Sequence, residues 1–548
     1  MGAQSVNDLN TPMGTAGTGD LLERSRTIAD AKFNRWLAPP AALAIHLCIG
    51  MAYGFSVFWL PMSKLLTGAA ACKGGLITEL TATNCNWTVP GVTYIFEMFI
   101  VMLGISAAIW GGWLERVGPR KAGLVSAFCW GGGLMIGGYG VSIHQLWLVL
   151  LGSGVIGGIG LGLGYITPVS TLIKWFPDRQ GMATGFAIMG FGGGALIGSP
   201  LAVELMKRYA HTGMSGVPMT MLTLGIAYLV AMTIGAFSFR VAPTGWKPEG
   251  YEPSAGNTRE MVSVHNVNLS VAWKTTQFWL IWGVLFTNVT AGIAVLSMAS
   301  PMFTDMFGGQ LIHVAASVKL NTTQTAAVAA SAAGLVGLIS LFNSLGRIFW
   351  ASLSDRLGRK MTYLTFFSLG ILLYCALPSF GHAGMTVLFV ATICIIMSMY
   401  GGGFATVPAY LSDMFGTQFV GAIHGRLLTA WSVAGIVGPN LIASLRDWQL
   451  GQGVAKARVY DGTLYIMAGL LAVGFICNLM VKPVDPKHYM SDEELTAVRA
   501  AAHQDDAAGA VSAARGPFGL AGVLAWAAVG IPFAIGLYIA LQKAAALF

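Results

Sequence analysis

The chain has 548 residues, 55% of them hydrophobic and only 10% charged, against roughly 25% charged in an average soluble domain. With a mean hydropathy of +0.67, it has too little polar surface for a water-facing globule but enough for loops between membrane-buried segments, so an all-α polytopic membrane protein is expected. The net charge of +8 does not point to nucleic acid, because the cations form no long run and flank apolar stretches, where membrane orientation explains them.

Taken in order, residues 1–37 form an expected cytoplasmic N-terminal segment; residues 1–31 are polar and hold no apolar signal-peptide core, so the first apolar stretch, from about Leu37, acts as an uncleaved anchor. Thirteen stretches have the length of a membrane-crossing helix, near 38–66, 90–112, 122–143, 146–173, 181–206, 218–239, 276–304, 326–351, 361–380, 386–411, 423–445, 462–481 and 517–541. A helix needs about 20 apolar residues to cross, and runs this long exceed any strand. Six-helix bundles are expected over 38–240 and 276–482, separated by a polar loop, 241–275. A linker, 483–516, in which Ser491 and Glu494 read as a capping box, leads to an additional helix within 517–548. With the N-terminus cytoplasmic, 21 cations fall inside and nine outside, leaving Arg347 alone within a span. The positive-inside rule therefore implies a cytoplasmic N-terminus and, after thirteen crossings, an outside C-terminus, in a plasma membrane of the bacterial inner-membrane kind. Cys72 and Cys85 share the first outside loop, where a disulfide is compatible with an oxidising compartment.

An internal repeat runs at a fixed offset. The segment from Gly111 to Lys121 returns from Ala351 to Lys360, with Glu115/Asp355, Arg116/Arg356 and Gly118/Gly358 each 240 positions apart. The same offset pairs Pro168 with Pro408 and Gly198 with Gly438, which makes duplication the best explanation. In each short inside loop the carboxylate is expected to pair with arginine and a helix N-terminus while glycine turns the chain.

The loop signature, the six-plus-six spans and the long central loop resemble the major facilitator superfamily over roughly residues 32–482. Asn34-Arg35-Trp36, Trp175-Phe176-Pro177-Asp178 with Gly181, Thr276-Gln277-Phe278-Trp279, Asn343 with Arg347, and Ser412-Asp413-Met414-Phe415-Gly416 look like the oxalate:formate antiporter family, beside the monocarboxylate transporters. The resemblance implies that Arg347 binds a substrate carboxylate, and it places Tyr53, Tyr165, Tyr400, Phe404 and Trp431 at cavity positions.

Arg347 lies roughly a third of the way into the bilayer, where an unpaired guanidinium is costly. It either snorkels to the interface or holds a carboxylate through its planar fork. Its repeat counterpart is Ala107, so the duplication is broken where a substrate needs asymmetry. Asn343, one turn earlier, is placed to orient the guanidinium. The resembled oxalate carriers have a second cation in span eleven where this chain has Trp431. One cation suits formate, acetate, lactate or pyruvate better than the oxalate dianion. His46, Glu97 and Asp305 are candidate proton-coupling groups; an exchanger needs none of them.

No His or Cys pair has metal spacing, the glycine-rich helices follow no strand, and no nucleophile constellation marks an enzyme, so no metal or cofactor is expected. The expected partners are a small carboxylate anion, the lipid bilayer and, for a symporter, a proton. The expected function is secondary transport of a small monocarboxylate by symport or exchange. The alternatives are an oxalate:formate-type dicarboxylate antiporter and a transporter-like carboxylate sensor.

Overall fold

The computed structural model describes residues 21–30, 33–210, 216–243, 246–251, 261–263, 265–311, 321–501 and 518–544. The expected Lys32, Arg259, Lys319 and Arg515 orientation signals, and the linker from 502 onward, lie outside them. Among the described residues thirteen helices are long and apolar enough to cross a membrane: α1 (Arg35–Met62), α2 (Val89–Val117), α3 (Pro119–Ser142), α4 (Leu146–Trp175), α5 (Gln180–Ala210), α6 (Val217–Ser238), α7 (Thr276–Leu311), α8 (Thr322–Leu357), α9 (Arg359–His382), α10 (Thr386–Phe415), α11 (Val420–Gly451), α12 (Asp461–Met480) and α13 (Gly519–Ala544). Among the described residues there are no strands, only isolated bridges. In lipid this is the outcome the physics demands, because a helix satisfies its own backbone groups.

Local sequence sets the ends. Thr88 caps α2 by accepting the Gly91 N–H at 3.0 Å, and Asn321 with Gln324 forms a reciprocal capping box at the start of α8. The duplicated glycines Gly118 and Gly358 hold φ of 84° and 86°, the left-handed turn that a side chain resists, between α2 and α3 and between α8 and α9.

Inside each half, small residues bring backbones together. Ser126 of α3 donates to the Gly160 carbonyl of α4 at 2.6 Å, and a Cβ at Gly160 would collide with the α3 backbone. Between halves, α5 crosses to α8 and α10, with the Thr184 hydroxyl donating to the Ala405 carbonyl at 2.6 Å. On the other flank α2 crosses to α11, where the Ser432 hydroxyl donates to the Ile100 carbonyl at 2.6 Å.

One end of the bundle carries the duplicated loops and the other carries the Cys72–Cys85 disulfide, with Cα atoms 5.0 Å apart. These are called the loop end and the disulfide end. Helix α13 runs along the outside from loop end to disulfide end. Trp526 donates to the Trp36 carbonyl at 2.9 Å, Phe533 fills the space left by Gly193 of α5, and Ala540 lies beside Gly337 of α8. It therefore contacts α1 and α5 of one half and α8 of the other. Ser491 caps the short helix Asp492–Ala501 by accepting the Glu494 N–H at 3.2 Å.

Candidate functional site

The duplicated loops build a closure between the halves. Glu115, 4% exposed, accepts the Lys174 ammonium at 2.5 Å, the Ser170 hydroxyl at 2.8 Å and, across the seam, the Gly421 N–H of α11 at 3.1 Å. Asp355 mirrors it. Its two oxygens accept the Gly181 and Met182 N–H groups of α5 at 2.8 and 2.9 Å, and Arg359 donates to it at 2.7 Å. Each carboxylate thus sits on a helix N-terminus of the other half, where the helix dipole favours negative charge. The expected arginine partner is present for Asp355, as Arg359, whereas Glu115 pairs with a lysine instead. Arg116 and Arg356 are exposed, and the carboxylates pair with Lys174 and Arg359, because the buried face of the turn is reached from α4 and from the first residue of α9.

In the loop-end third of α8, Arg347 is 0% exposed, so it does not snorkel. Nε donates to Asn343 Oδ1 at 3.3 Å and Nη1 to the Ile188 carbonyl of α5 at 2.8 Å. Both partners are neutral, and buried Nη2 has no hydrogen-bond partner among the described residues. The guanidinium carbon lies 5.7 Å from the Phe191 ring centroid and 5.6 Å from that of Phe404, a cation–π clamp from both halves. Gly192 makes room, since a Cβ there would stand 2.9 Å from Arg347 Nε and 3.0 Å from Ser344 Oγ.

The expected aromatic set is brought together. Trp431, fully buried, has ring-centroid distances of 4.6 Å to Phe404, 5.3 Å to Tyr165, 5.4 Å to Phe191 and 6.2 Å to Tyr53. The Tyr53 and Tyr400 hydroxyls meet at 3.1 Å across the two halves. The Tyr165 hydroxyl and the Trp431 indole N–H are buried with no partner among the described residues. Arg347 Nη2, the Tyr165 hydroxyl and the Trp431 indole N–H are thus three buried polar groups without a hydrogen-bond partner among the described residues, set among packed rings.

The three ionisable candidates separate. His46 is buried beside the cluster, its ring nitrogens against the Ala187 and Tyr165 carbonyl oxygens, the latter at 3.1 Å. Glu97 is partly buried in the disulfide-end third of α2 and joins none of these contacts. Asp305 is bound to Arg446 at 2.8 Å and to the Tyr460 hydroxyl at 2.7 Å, tying α7 to α11 and the start of α12 at the disulfide end.

Two site residues escaped sequence reading. Phe191 stands 240 positions before Trp431, so the repeat offset was the signal that would have found it. His424, 0% exposed on α11 with both ring nitrogens unpartnered among the described residues, carried no motif at all; only the packing reveals it.

The described residues hold helices long and apolar enough to cross a membrane many times, which defines a polytopic membrane protein. The family model for the Major Facilitator Superfamily matches residues 42–439, and the chain belongs to that superfamily. It is 26% identical over 468 residues to the oxalate:formate antiporter of Oxalobacter formigenes, covering 84% of this chain and 96% of that protein. It is 25% identical to apicoplast pyruvate carrier 1 of Toxoplasma gondii, covering 85% and 93%, and 26% identical to monocarboxylate transporter 12 of Rattus norvegicus, covering 58% and 63%. Solved structures of the fold include the transporter FucP in the outward conformation, at TM-score 0.53, 14% identity and coverage of 81% and 99%. The proton:xylose symporter XylE matches at TM-score 0.54 and 12% identity, with coverage of 85% and 99%.

Proposed function

We propose that the protein is a secondary transporter of small monocarboxylates of the formate, acetate, lactate or pyruvate class, alternating access around Arg347. The observation that carries this reading is one buried guanidinium with neutral partners and an Nη2 that has no hydrogen-bond partner among the described residues. A carboxylate there gains two parallel charge-assisted hydrogen bonds and cancels the buried charge. The antiporter, pyruvate-carrier and monocarboxylate-transporter relatives support a carboxylate. The count of one cation, with Trp431 in the wall, favours a monoanion over the oxalate dianion, whose second charge would be buried uncompensated. In this reading the loop end faces the cytoplasm of a bacterial-type inner membrane, the N-terminus lies inside and the C-terminus outside. The interlocked Glu115 and Asp355 then describe a carrier shut toward the cytoplasm. The seven residues proposed to bind substrate are Arg347, Asn343, Tyr53, Tyr165, Tyr400, Phe404 and Trp431.

Counterflow in proteoliposomes tests this. A carrier loaded with unlabelled anion takes up labelled pyruvate transiently, whereas a sensor binds without accumulating it. Formate, acetate and lactate are expected to compete, and oxalate poorly. Arg347→Ala is expected to abolish uptake in a protein that still inserts, and Arg347→Lys to restore it only in part, because an ammonium lacks the fork. Near-normal uptake by Arg347→Ala, or oxalate competing as well as pyruvate, overturns the reading.

A further inference from the structure

We propose that His424 carries a proton that moves with the anion, taken up when the loop end opens. The inference rests on the transporter reading and adds the residue that binds the coupling proton.

The position is the first argument. Gly421, whose N–H is latched by Glu115, Gly425 and Trp431 bracket His424 on α11, so the ring lies between the loop-end closure and the aromatic wall of the site. At Gly425 the helix abuts the Ala107 carbonyl of α2, with no space for a Cβ. His424 is therefore buried at a seam between halves that must part for the loop end to open.

The second argument is hydrogen bonding. Buried imidazoles ordinarily donate one N–H and accept at the other nitrogen, yet both nitrogens of His424 are unpartnered among the described residues. Its ring is 5.9 Å from that of Tyr165, whose hydroxyl is equally unspent. In this closed, unloaded arrangement an imidazolium would bury two charge-assisted donors with no acceptor among the described residues, so the ring is neutral; in the loaded carrier the bound carboxylate supplies the acceptor that lets the ring stay charged. Once α11 leaves α2, water reaches it and an ordinary histidine titrates near pH 6.5.

The other titratable groups do not supply the role. Tyr165 on α4 faces the ring, and His46 on α1 lies beyond it, held between two carbonyls. Glu115 and Lys174 pair with each other at the first turn of α11. Arg426, on the same helix, donates to the Leu269 carbonyl at 2.7 Å. On α10, Asp413 is held by Arg359 and Tyr410 by Asn478; on α7, Asp305 is held by Arg446.

The charge balance is the third argument. The empty site holds Arg347 and a neutral ring, net one positive charge; with the anion on Arg347 and the proton on His424, the net charge is again one positive. The imidazole lone pair takes the proton from water at the open loop end and returns it to water on the opposite side when the anion leaves. Loaded and empty carriers thus cross with equal buried charge, and neither step strands an extra ion in the bilayer.

The test uses the whole protein in proteoliposomes with radiolabelled pyruvate. One-for-one coupling predicts about tenfold accumulation per imposed pH unit in the unmodified protein. In H424Q and H424N that accumulation is expected to fall at least about fivefold further than counterflow exchange does, and the exchange rate is expected to lose its dependence on pH around 6.5. Accumulation in H424Q equal to that of the unmodified protein overturns the inference. So does equal loss of exchange and accumulation in both variants, which marks a purely structural ring, and so does an unmodified carrier whose exchange is robust but unaffected by a pH gradient. Absence of counterflow in the unmodified protein instead removes the substrate reading on which the inference stands.

Discussion

Asp355 of the second half accepts the backbone N–H of Gly181 in the first half at 2.8 Å. Glu115 and Gly421, each displaced by the repeat offset of 240, make the reciprocal bond at 3.1 Å. The duplicated loop is thus half of an interlock, and the other half is the duplicated helix N-terminus it caps. The same kind of contact is thus made twice at the loop end, across the seam and in both directions.

Weakening one latch is expected to open that end. A hydrogen bond to a charged group contributes about 1.5–3 kcal/mol, so Asp355→Asn should shift the closed-to-open ratio roughly tenfold or more toward open. The maleimide reaction rate of Ala405→Cys, a fully buried position on α10, in a background without other free cysteines, should rise accordingly. An unchanged rate in both Asp355→Asn and Glu115→Gln would show that closure does not depend on these bonds.

Gly192→Ala should move the guanidinium without removing it, because the new Cβ would lie 2.9 Å from Arg347 Nε. Expected is a weaker KM by about tenfold, equivalent to about 1.4 kcal/mol, with little loss of expression. Comparing Gly192→Ala with Gly193→Ala, which meets Phe533 of α13 instead, separates displacement of the arginine from disturbance of the outer helix.

Trp431→Lys should turn preference toward dianions. A second buried cation favours a second negative charge and leaves a monoanion complex with excess positive charge. The ratio of oxalate to pyruvate inhibition in counterflow is the measurement, and an unchanged ratio contradicts the single-cation account of specificity.

Truncation after Val484 removes α13 but no proposed site residue, so a folded protein that binds substrate is expected. Because α13 spans the seam between α5 and α8, thermal stability should fall more than affinity. Complete loss of binding would give α13 a place in the site. Labelling of Phe548→Cys by an impermeant reagent from outside, and protection of Ala508→Cys, is the expected orientation; both positions lie outside the described residues.

Much was legible in the chain itself. Apolar length decided the helices because in lipid the backbone has no alternative partner, and the fixed offset pointed to loops that the structure sets in reciprocal contacts. Arg347 stood out because charge within an apolar run is expensive enough to demand a reason. Tertiary structure decided who meets whom. Glu115 pairs with Lys174 and Gly421 rather than with Arg116 because partner choice depends on which face of the turn is buried. Asp305, attractive as an isolated acid in a span, proved to be bound to Arg446 and Tyr460 at the disulfide end. His424, which belongs to no motif, became visible only when packing left both its nitrogens without a partner among the described residues. A sequence records the cost of burying a group, whereas only the folded chain fixes what is present to offset it.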